Sequence, residues 1–430
     1  MKLQGFKGFT ILTLGQLISM VGSSMTQFGL GIWIWEKTGN ATPFSIIAVC
    51  FMVPNLLFSP IAGTLIDRWP KKRGLILPDL SAGLITVLLI VLFTSNHLNL
   101  PILYVGAFFS GMFNSLQWPA YSVTITLLIK KEELVRANGL HSICETAPAL
   151  ISPILAGSLI PLIGLPGIFT FDLVTLLVAI GSVLLVFIPE QRQEEEEEEE
   201  QKKEHRSIWQ DSLFGFSYIF GRLPLLGVLS VFLLTNFFGG FSQTLFAPMI
   251  LAKSDNSSVV LGIVQSSFGI GGIAGGLMMT LWGGTRKKIV SLLLGIMLTG
   301  VGSILLGVSK SLPMFIVSVL LIAITMVMSN ASSQAIWQSS VPVNLQGRVF
   351  SARRFIAQFV GIFPMALSGP LVDKILTPLF QEGVLIAKLF GVGKGGAIGF
   401  LASIGGILTI LVTIIAFLSP FIMNVEKVKR

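Results

Sequence analysis

Long apolar runs follow one another along this chain with only short polar interruptions, and no water-soluble core could bury so many. A helix needs about 20 mostly apolar residues to cross a bilayer. About twelve stretches meet that length, at roughly 10–35, 44–66, 75–95, 101–129, 139–161, 167–188, 224–250, 258–282, 289–308, 312–340, 350–374 and 397–423. None alternates as the strands of an outer-membrane barrel do. The expected fold class is therefore an all-α integral membrane protein with twelve transmembrane helices. Composition agrees, since only 12% of the residues are charged, against about 25% in a soluble domain. The first run, beginning MKLQGFKGFTILTLGQLISM, mimics a secretory leader. It continues to about Trp35 without a small-residue cleavage site and so reads as a retained span.

Charge then orients the chain. With the N-terminus inside, most of the 29 Lys and Arg residues fall on the cytoplasmic segments, leaving Lys37, Lys253, Lys310, Lys374, Lys388 and Lys394 outside. Short cytoplasmic loops carry such an excess. Both termini are expected in the cytoplasm and the protein in the inner (plasma) membrane, with the lipid bilayer as its surroundings. The net charge of +8 belongs to this bias. The bases are scattered over short loops rather than gathered on one face, which argues against nucleic acid as a partner. Cys50 and Cys144 both lie in apolar runs, a poor start for a disulfide framework or a zinc site.

Residues 189–211, PEQRQEEEEEEEQKKEHRSIWQD, break the apolar pattern after the sixth run. A metal or partner site is one reading of the block Glu194–Glu200. A solvated, self-repelling linker is the simpler one. The expected domains are a six-helix bundle over 1–188, a cytoplasmic Glu-rich linker over 189–211, and a second six-helix bundle over 212–430. The bundles read as repeats, because placing Arg136 on Arg348 also brings Gly157 onto Gly369 and Leu159 onto Leu371. Two parallel six-span repeats around a midplane cavity form a recurrent transporter design. Near the last run, Gly391, Gly393 and Gly396 spell G-x-G-x-x-G. No strand precedes them, so they read as a turn and not a dinucleotide site.

Between the second and third runs lies GTLIDRWPKKR, Gly63 to Arg73, which gathers Asp67, Arg68, Lys71, Lys72 and Arg73. This segment should be a short loop at the cytoplasmic face. It resembles the signature loop of the major facilitator superfamily, G-x-L-x-D-R-x-G-R-R/K. Gly63, Leu65, Asp67, Arg68, Lys71 and Lys72 match, and Pro70 replaces the second glycine. The resemblance implies a gate, in which Asp67 faces the N-terminal end of the eleventh helix near Arg348, where Arg353 and Arg354 add positive charge. A helix N-terminus favours an anion, so these contacts would favour the state closed to the cytoplasm. The alternative is a surface ion pair worth little.

The fifth run holds Gly139, Pro148, Ser152, Pro153, Ala156 and Gly157. Their spacing is similar to the drug-antiporter signature G-x8-G-x3-G-P-x2-G-G, with Pro148, Ser152 and Ala156 replacing three glycines. Small residues four apart admit a neighbouring backbone, and prolines kink a span. Such a kinked, close contact suits an outer gate; ordinary small-residue packing is the alternative. On the same stripe, Glu145 has no Lys or Arg near it in the run. A charge at the bilayer centre costs roughly 3 kcal/mol or more. Glu145 is therefore the first candidate to take and release a proton, ahead of Asp79 and Asp172. Asp79 is expected to begin the third helix and join the cytoplasmic charge network. Asp172 is expected near the outer end of the sixth helix.

The resemblance also implies a substrate cavity lined by helices one, four, seven and ten, which singles out Gln16, Gln117, Trp118, Asn236 and Gln334. His97, His141 and His205 are isolated, and no Walker loop or carboxylate dyad occurs at catalytic spacing. The chain reads as a non-enzyme without cofactor or metal, drawing on an ion gradient. Within the superfamily, GQLISMVGSSMTQFGLGIWIWEKTG, the loop followed by PDL, and NLQGRVFSARR resemble the bacterial macrolide-efflux branch. That branch implies proton-coupled export of hydrophobic or amphipathic small molecules; the protein itself is expected to be a monomer. The alternatives are a siderophore exporter or lysophospholipid carrier of the same fold, or a non-transporting membrane receptor.

Overall fold

The computed structural model describes residues 5–68, 71–129, 134–187, 216–342, 345–381 and 385–427. Within these stretches a few side chains, named where they matter, lie outside the described set. Helix α1 spans Gly5–Thr38, α2 Thr42–Arg68, α3 Lys71–Thr94, α4 Leu100–Leu128 and α5 Leu134–Leu185. Then come α6 over Leu223–Thr244, α7 over Phe246–Lys253, α8 over Ser258–Trp282, α9 over Lys288–Val308 and α10 over Leu312–Ser340. Last are α11 over Gln346–Pro370, the short α12 over Leu385–Phe390, α13 over Gly393–Leu418 and α14 over Pro420–Met423. Among the described residues, ten helices are long and apolar enough to cross a membrane.

The fifth and sixth apolar runs share α5. That helix is broken at Gly164, whose φ of 65° and ψ of −178° lie in a region that only glycine enters readily. Pro161 and Pro166 flank the break and withhold backbone donors there. The seventh run is likewise divided, with α6 ending and α7 beginning around Leu245.

The outer surface is apolar and the interior holds polar groups. Leu84, Leu281 and Leu418 are 71%, 87% and 77% exposed, whereas Asp79 and Asp172 are each 5% exposed. Water would penalise that arrangement, and a lipid bilayer accepts it. The chain is a multi-pass membrane protein.

Two compact units divide it: Met1–Glu195 with Asn256–Ser266, and Glu196–Asp255 with Ser267–Arg430. In the first, α1 lies along the second half of α5. Glycines at two-turn intervals on α1 permit the approach. A Cβ on Gly22 would stand 3.0 Å from the Asp172 Cα, and one on Gly29 2.8 Å from a Leu165 methyl. Close packing through small residues is how helices associate where lipid supplies no hydrophobic drive. In the second unit, α9 packs between α10 and α13. There Gly300 and Gly406 face one another, and a Cβ on either would come within 2.8 Å or 2.5 Å of the other's carbonyl oxygen.

Lys253, the last residue of α7, caps the end of α9. Its Nζ donates to the carbonyl oxygens of Gly307 at 2.5 Å and Ser309 at 3.2 Å. Burial, and then the nearby Lys310 charge, push its pKa down to about 8. The folded state therefore binds the proton less tightly than the unfolded chain. Stability should rise as pH increases from about 8 to about 10.5. We expect the unfolding midpoint of the purified protein to climb on the order of 2 °C across that window. Lys253→Met should flatten the climb; an identical pH profile in both proteins would show that Lys253 does not cause it.

Candidate functional site

The first unit buries two carboxylates against α1. Asp172, eight residues beyond the Gly164 break, accepts hydrogen bonds from Ser23 Oγ at 3.0 Å, Thr26 Oγ1 at 3.0 Å and Thr86 Oγ1 at 2.9 Å. Ser23 and Thr26 lie on one face of α1 because residues three apart on a helix are neighbours. Gly22 beside them lets α5 come close enough for the bonds to form.

Asp79 lies about two turns into α3. Expected at the cytoplasmic surface among bases, it is instead buried, and its described partner is Gln16 of α1, whose Nε2 donates to Oδ2 at 2.6 Å. The reason is the start of α3 at Lys71, which carries residue 79 inward. Gln16, expected to line a substrate cavity, is 6% exposed and engaged with this acid. The two acids are not in contact. Gln16 and Thr26 lie ten residues apart on α1, which separates the two levels by about 15 Å of helix rise. Between them Ser19, also on α1, is buried. A polar column thus runs from Asp79 along α1 to Asp172.

The fifth-run motif lies in the first half of α5. Pro148, Ser152, Pro153, Ala156 and Gly157 are all buried. Ser152 Oγ donates to the Val21 carbonyl at 3.0 Å. On the other side, α5 meets the beginning of α8, which belongs to the same unit. A Cβ on Gly157 would be 2.9 Å from the Ser258 oxygen, and one on Gly262 2.5 Å from the Pro153 oxygen. Ser266 Oγ donates to the Leu150 carbonyl at 2.9 Å. Nearby, Trp35 Nε1 donates to Asn256 Oδ1 at 2.7 Å. The small residues of the motif therefore admit one specific backbone, that of Ser258 to Gly262. The sequence had not singled out those partners, although SSVVLGIVQSSFGIGG is rich in small residues.

Amides line part of each unit's surface. In the first, Asn55 Nδ2 donates to Asn114 Oδ1 at 3.1 Å, and Asn114 Nδ2 donates to Gln117 Oε1 at 3.1 Å. In the second, Asn236 on α6 is exposed, and Asn330, Gln334 and Gln338 repeat every fourth residue along α10. Gln334 accepts from Arg353, whose guanidinium also lies over Trp337. Arg353, expected to add positive charge near the start of the eleventh helix, packs against α10 from within α11; the Asp67 side chain it was to complement lies outside the described residues.

The segment Gly63 to Arg73 is mostly helix ends rather than loop. Helix α2 continues to Arg68 and α3 begins at Lys71. The side chains of Asp67, Arg68, Lys71, Glu145, Trp118 and Arg348 lie outside the described residues, and so do Gly63 and Gly139 beyond their helical backbone. Lys72 and Arg73 begin α3, half-buried and exposed respectively. Among the described residues, no group of three His, Cys, Asp or Glu side chains gathers as metal ligands would.

The family model of the Major Facilitator Superfamily matches residues 12–365. Macrolide efflux protein A of Streptococcus pyogenes is 25% identical over 371 residues, covering 84% of this chain and 88% of that protein. The multidrug efflux pump Tap of Mycolicibacterium fortuitum is 22% identical over 372 residues, covering 85% and 88%. Among solved structures, a bacterial homologue of the human lysosomal transporter Spinster, inward-facing and unoccupied, superposes with a TM-score of 0.70 at 14% identity, covering 98% of this chain and 97% of that one. That likeness establishes the fold, and the family match across most of the chain establishes the kinship. With its helical membrane units and its match from residue 12 to residue 365, the chain belongs to the Major Facilitator Superfamily of transporters.

Proposed function

We propose that this chain is a secondary active transporter that exports hydrophobic or amphipathic small molecules by proton antiport. In this reading it has twelve spans and cytoplasmic termini, and works by alternating access. The observation that carries the reading is the pair of buried acids in the first unit, each held by neutral partners among the described residues. A buried acid without a fixed cation can gain and lose a proton without breaking an ion pair. Asp79 is the strongest candidate on geometry. Its partner Gln16 can donate an N–H to the carboxylate or offer its carbonyl to the protonated acid. Asp172, with three hydroxyl donors, is better satisfied as a carboxylate, and we assign it the fixed end of the polar column. Glu145, first on sequence grounds, stays a candidate, with its side chain outside the described residues. The macrolide and multidrug efflux relatives support the export direction and an apolar substrate.

In the same reading, Asp67 with Arg68, Lys71, Lys72 and Arg73 forms the cytoplasmic gate, and Pro153 and Gly157 with Ser258 and Gly262 form the opposite one. Gln117, Trp118, Asn236 and Gln334 lie along the substrate route.

The test is accumulation of a labelled macrolide and of a fluorescent lipophilic dye in an efflux-deficient bacterium expressing the protein. Wild type should lower accumulation of at least one compound, and a protonophore should abolish the effect. Asp67→Asn, at matched protein level, should reduce efflux about fivefold, the equivalent of about 1 kcal/mol of lost gate energy. Unchanged accumulation of both compounds on expression would remove drug export. Efflux indifferent to the protonophore would remove proton coupling.

A further inference from the structure

Arg353 occupies an unusual position for a cation in a membrane protein. It lies about two turns into α11, half-buried, with its guanidinium carbon 5.2 Å from the Trp337 ring centroid and 6.0 Å from that of Phe232. Trp337 is 1% exposed, so this ring is a platform whose contact face is given to the guanidinium. Two hydrogen bonds complete the arrangement. Nη1 donates to Gln334 Oε1 at 3.3 Å and Nη2 to Ser333 Oγ at 3.4 Å. Both are long for a cation donating to oxygen. No carboxylate pairs with Arg353 among the described residues.

A guanidinium carries five N–H donors in a planar fork. Two are engaged weakly by neutral oxygens, and the ring platform holds the plane in place. A cation within a span normally finds a counter-charge, because an isolated one is costly there. The surroundings show where the counter-charge would come from. Asn330, Gln334 and Gln338 form a stripe along one face of α10, with Asn330 and Gln338 exposed and Gln334 half-buried. Three amides on one open face are unsuited to lipid and suited to water or a polar ligand. The guanidinium meets this stripe at Gln334.

We infer that Arg353 is the binding site for an oxyanion, a carboxylate or phosphate group carried by an amphipathic substrate, with Gln334 and the neighbouring amides as further polar contacts. The inference rests on the transport reading above and deepens it, since it makes acidic or zwitterionic amphipaths preferred over cationic ones. The planar fork suits a two-oxygen anion, which it can meet with paired N–H···O bonds.

The full-length protein in phosphatidylcholine nanodiscs tests this. Affinities are measured for N-lauroylglycine, its neutral amide, dodecyltrimethylammonium and lysophosphatidylglycerol. The acid should bind at least about tenfold more tightly than the amide, as charge-assisted bonds exceed neutral ones. Arg353→Gln should erase that difference, and Arg353→Lys, a point charge without the fork, should keep part of it. Tighter binding of lysophosphatidylglycerol than of the acid would assign the oxyanion to a lipid headgroup. The reverse order would assign it to a free organic acid. Either order supports the site when Arg353→Gln abolishes it. Should Arg353→Gln fail to fold, glyoxal labelling of wild type decides: the acid, and not the amide, should protect Arg353 in the digest. Equal affinity of acid and amide, or equal labelling with both, would overturn the inference. The two readings separate in one experiment. Dye export alongside equal affinities would sink the oxyanion site alone. An acid preference in a protein that moves no compound would keep the site and sink export.

Discussion

Asp79→Asn should abolish proton-driven export while leaving the protein folded. In proteoliposomes with an imposed pH gradient, the initial rate of substrate movement should fall at least about tenfold, since proton transfer by a positioned group contributes about 10²–10⁴ in rate. The isosteric amide can still pair with Gln16, so the contact between α1 and α3 survives. Substrate exchange without a gradient should therefore persist. Gln16→Leu removes the two-way partner and should slow transport less than Asp79→Asn. Asp172→Asn should behave differently. It places an amide among three hydroxyls that donate to a carboxylate, Ser23, Thr26 and Thr86, and each mismatched buried bond costs about 1–3 kcal/mol. Lost thermal stability should be its first symptom. Full gradient-driven transport in Asp79→Asn would end the assignment, and a comparable loss in Glu145→Gln alone would transfer it to that residue.

Gly262→Leu should break the approach between α5 and the beginning of α8. A Cβ there already stands 2.5 Å from the Pro153 carbonyl oxygen, and that atom is backbone, which cannot swing aside as a side chain would. Overpacking of this kind costs about 1–3 kcal/mol, which shifts a two-state equilibrium by about 5–150-fold. If the contact is a gate, the chain should favour the state in which it is open, and net transport should fall by a similar factor. The readout is labelling of Ser266→Cys, in a background lacking Cys50 and Cys144, by a membrane-impermeant maleimide. Ser266 is 2% exposed beside Leu150 in the closed contact, so labelling should rise sharply in Gly262→Leu. Equal labelling in both backgrounds, with transport intact, would make this contact simple packing.

Part of this site was readable without a structure. The small residues around Pro153 and Gly157 announced a close backbone approach, because small side chains four apart have few other uses on a membrane helix. Their partner could not be read, since Ser258 and Gly262 lie about 100 residues away and glycine is common throughout this chain. Asp172 stands out as an acid in an apolar run, but its hydroxyl partners come from α1 and α3, and Ser and Thr inside spans carry no mark of what they face. By sequence Asp79 reads as part of a surface network, because five other charged residues lie close to it; the α3 start at Lys71 turns it inward. The contacts of Arg353 with Gln334 and Trp337 carry no mark in the sequence, where it reads as one more base near the start of a helix.

The order and length of the apolar runs decided by themselves that this chain lives in a membrane, because hydrocarbon tolerates only helices with internally paired backbones over such lengths. The small-residue run of α5 marked where a neighbouring backbone could come close. Tertiary structure alone decided which groups those helices share. It set Asp79 against Gln16, gathered three hydroxyls on Asp172, admitted Gly262 to Pro153 and laid Arg353 across Trp337. These pairings depend on the rotation of each helix about its own axis. A lipid-solvated helix has apolar residues on nearly every face, so periodicity leaves that rotation open, and close packing of glycine, serine and buried polar groups settles it.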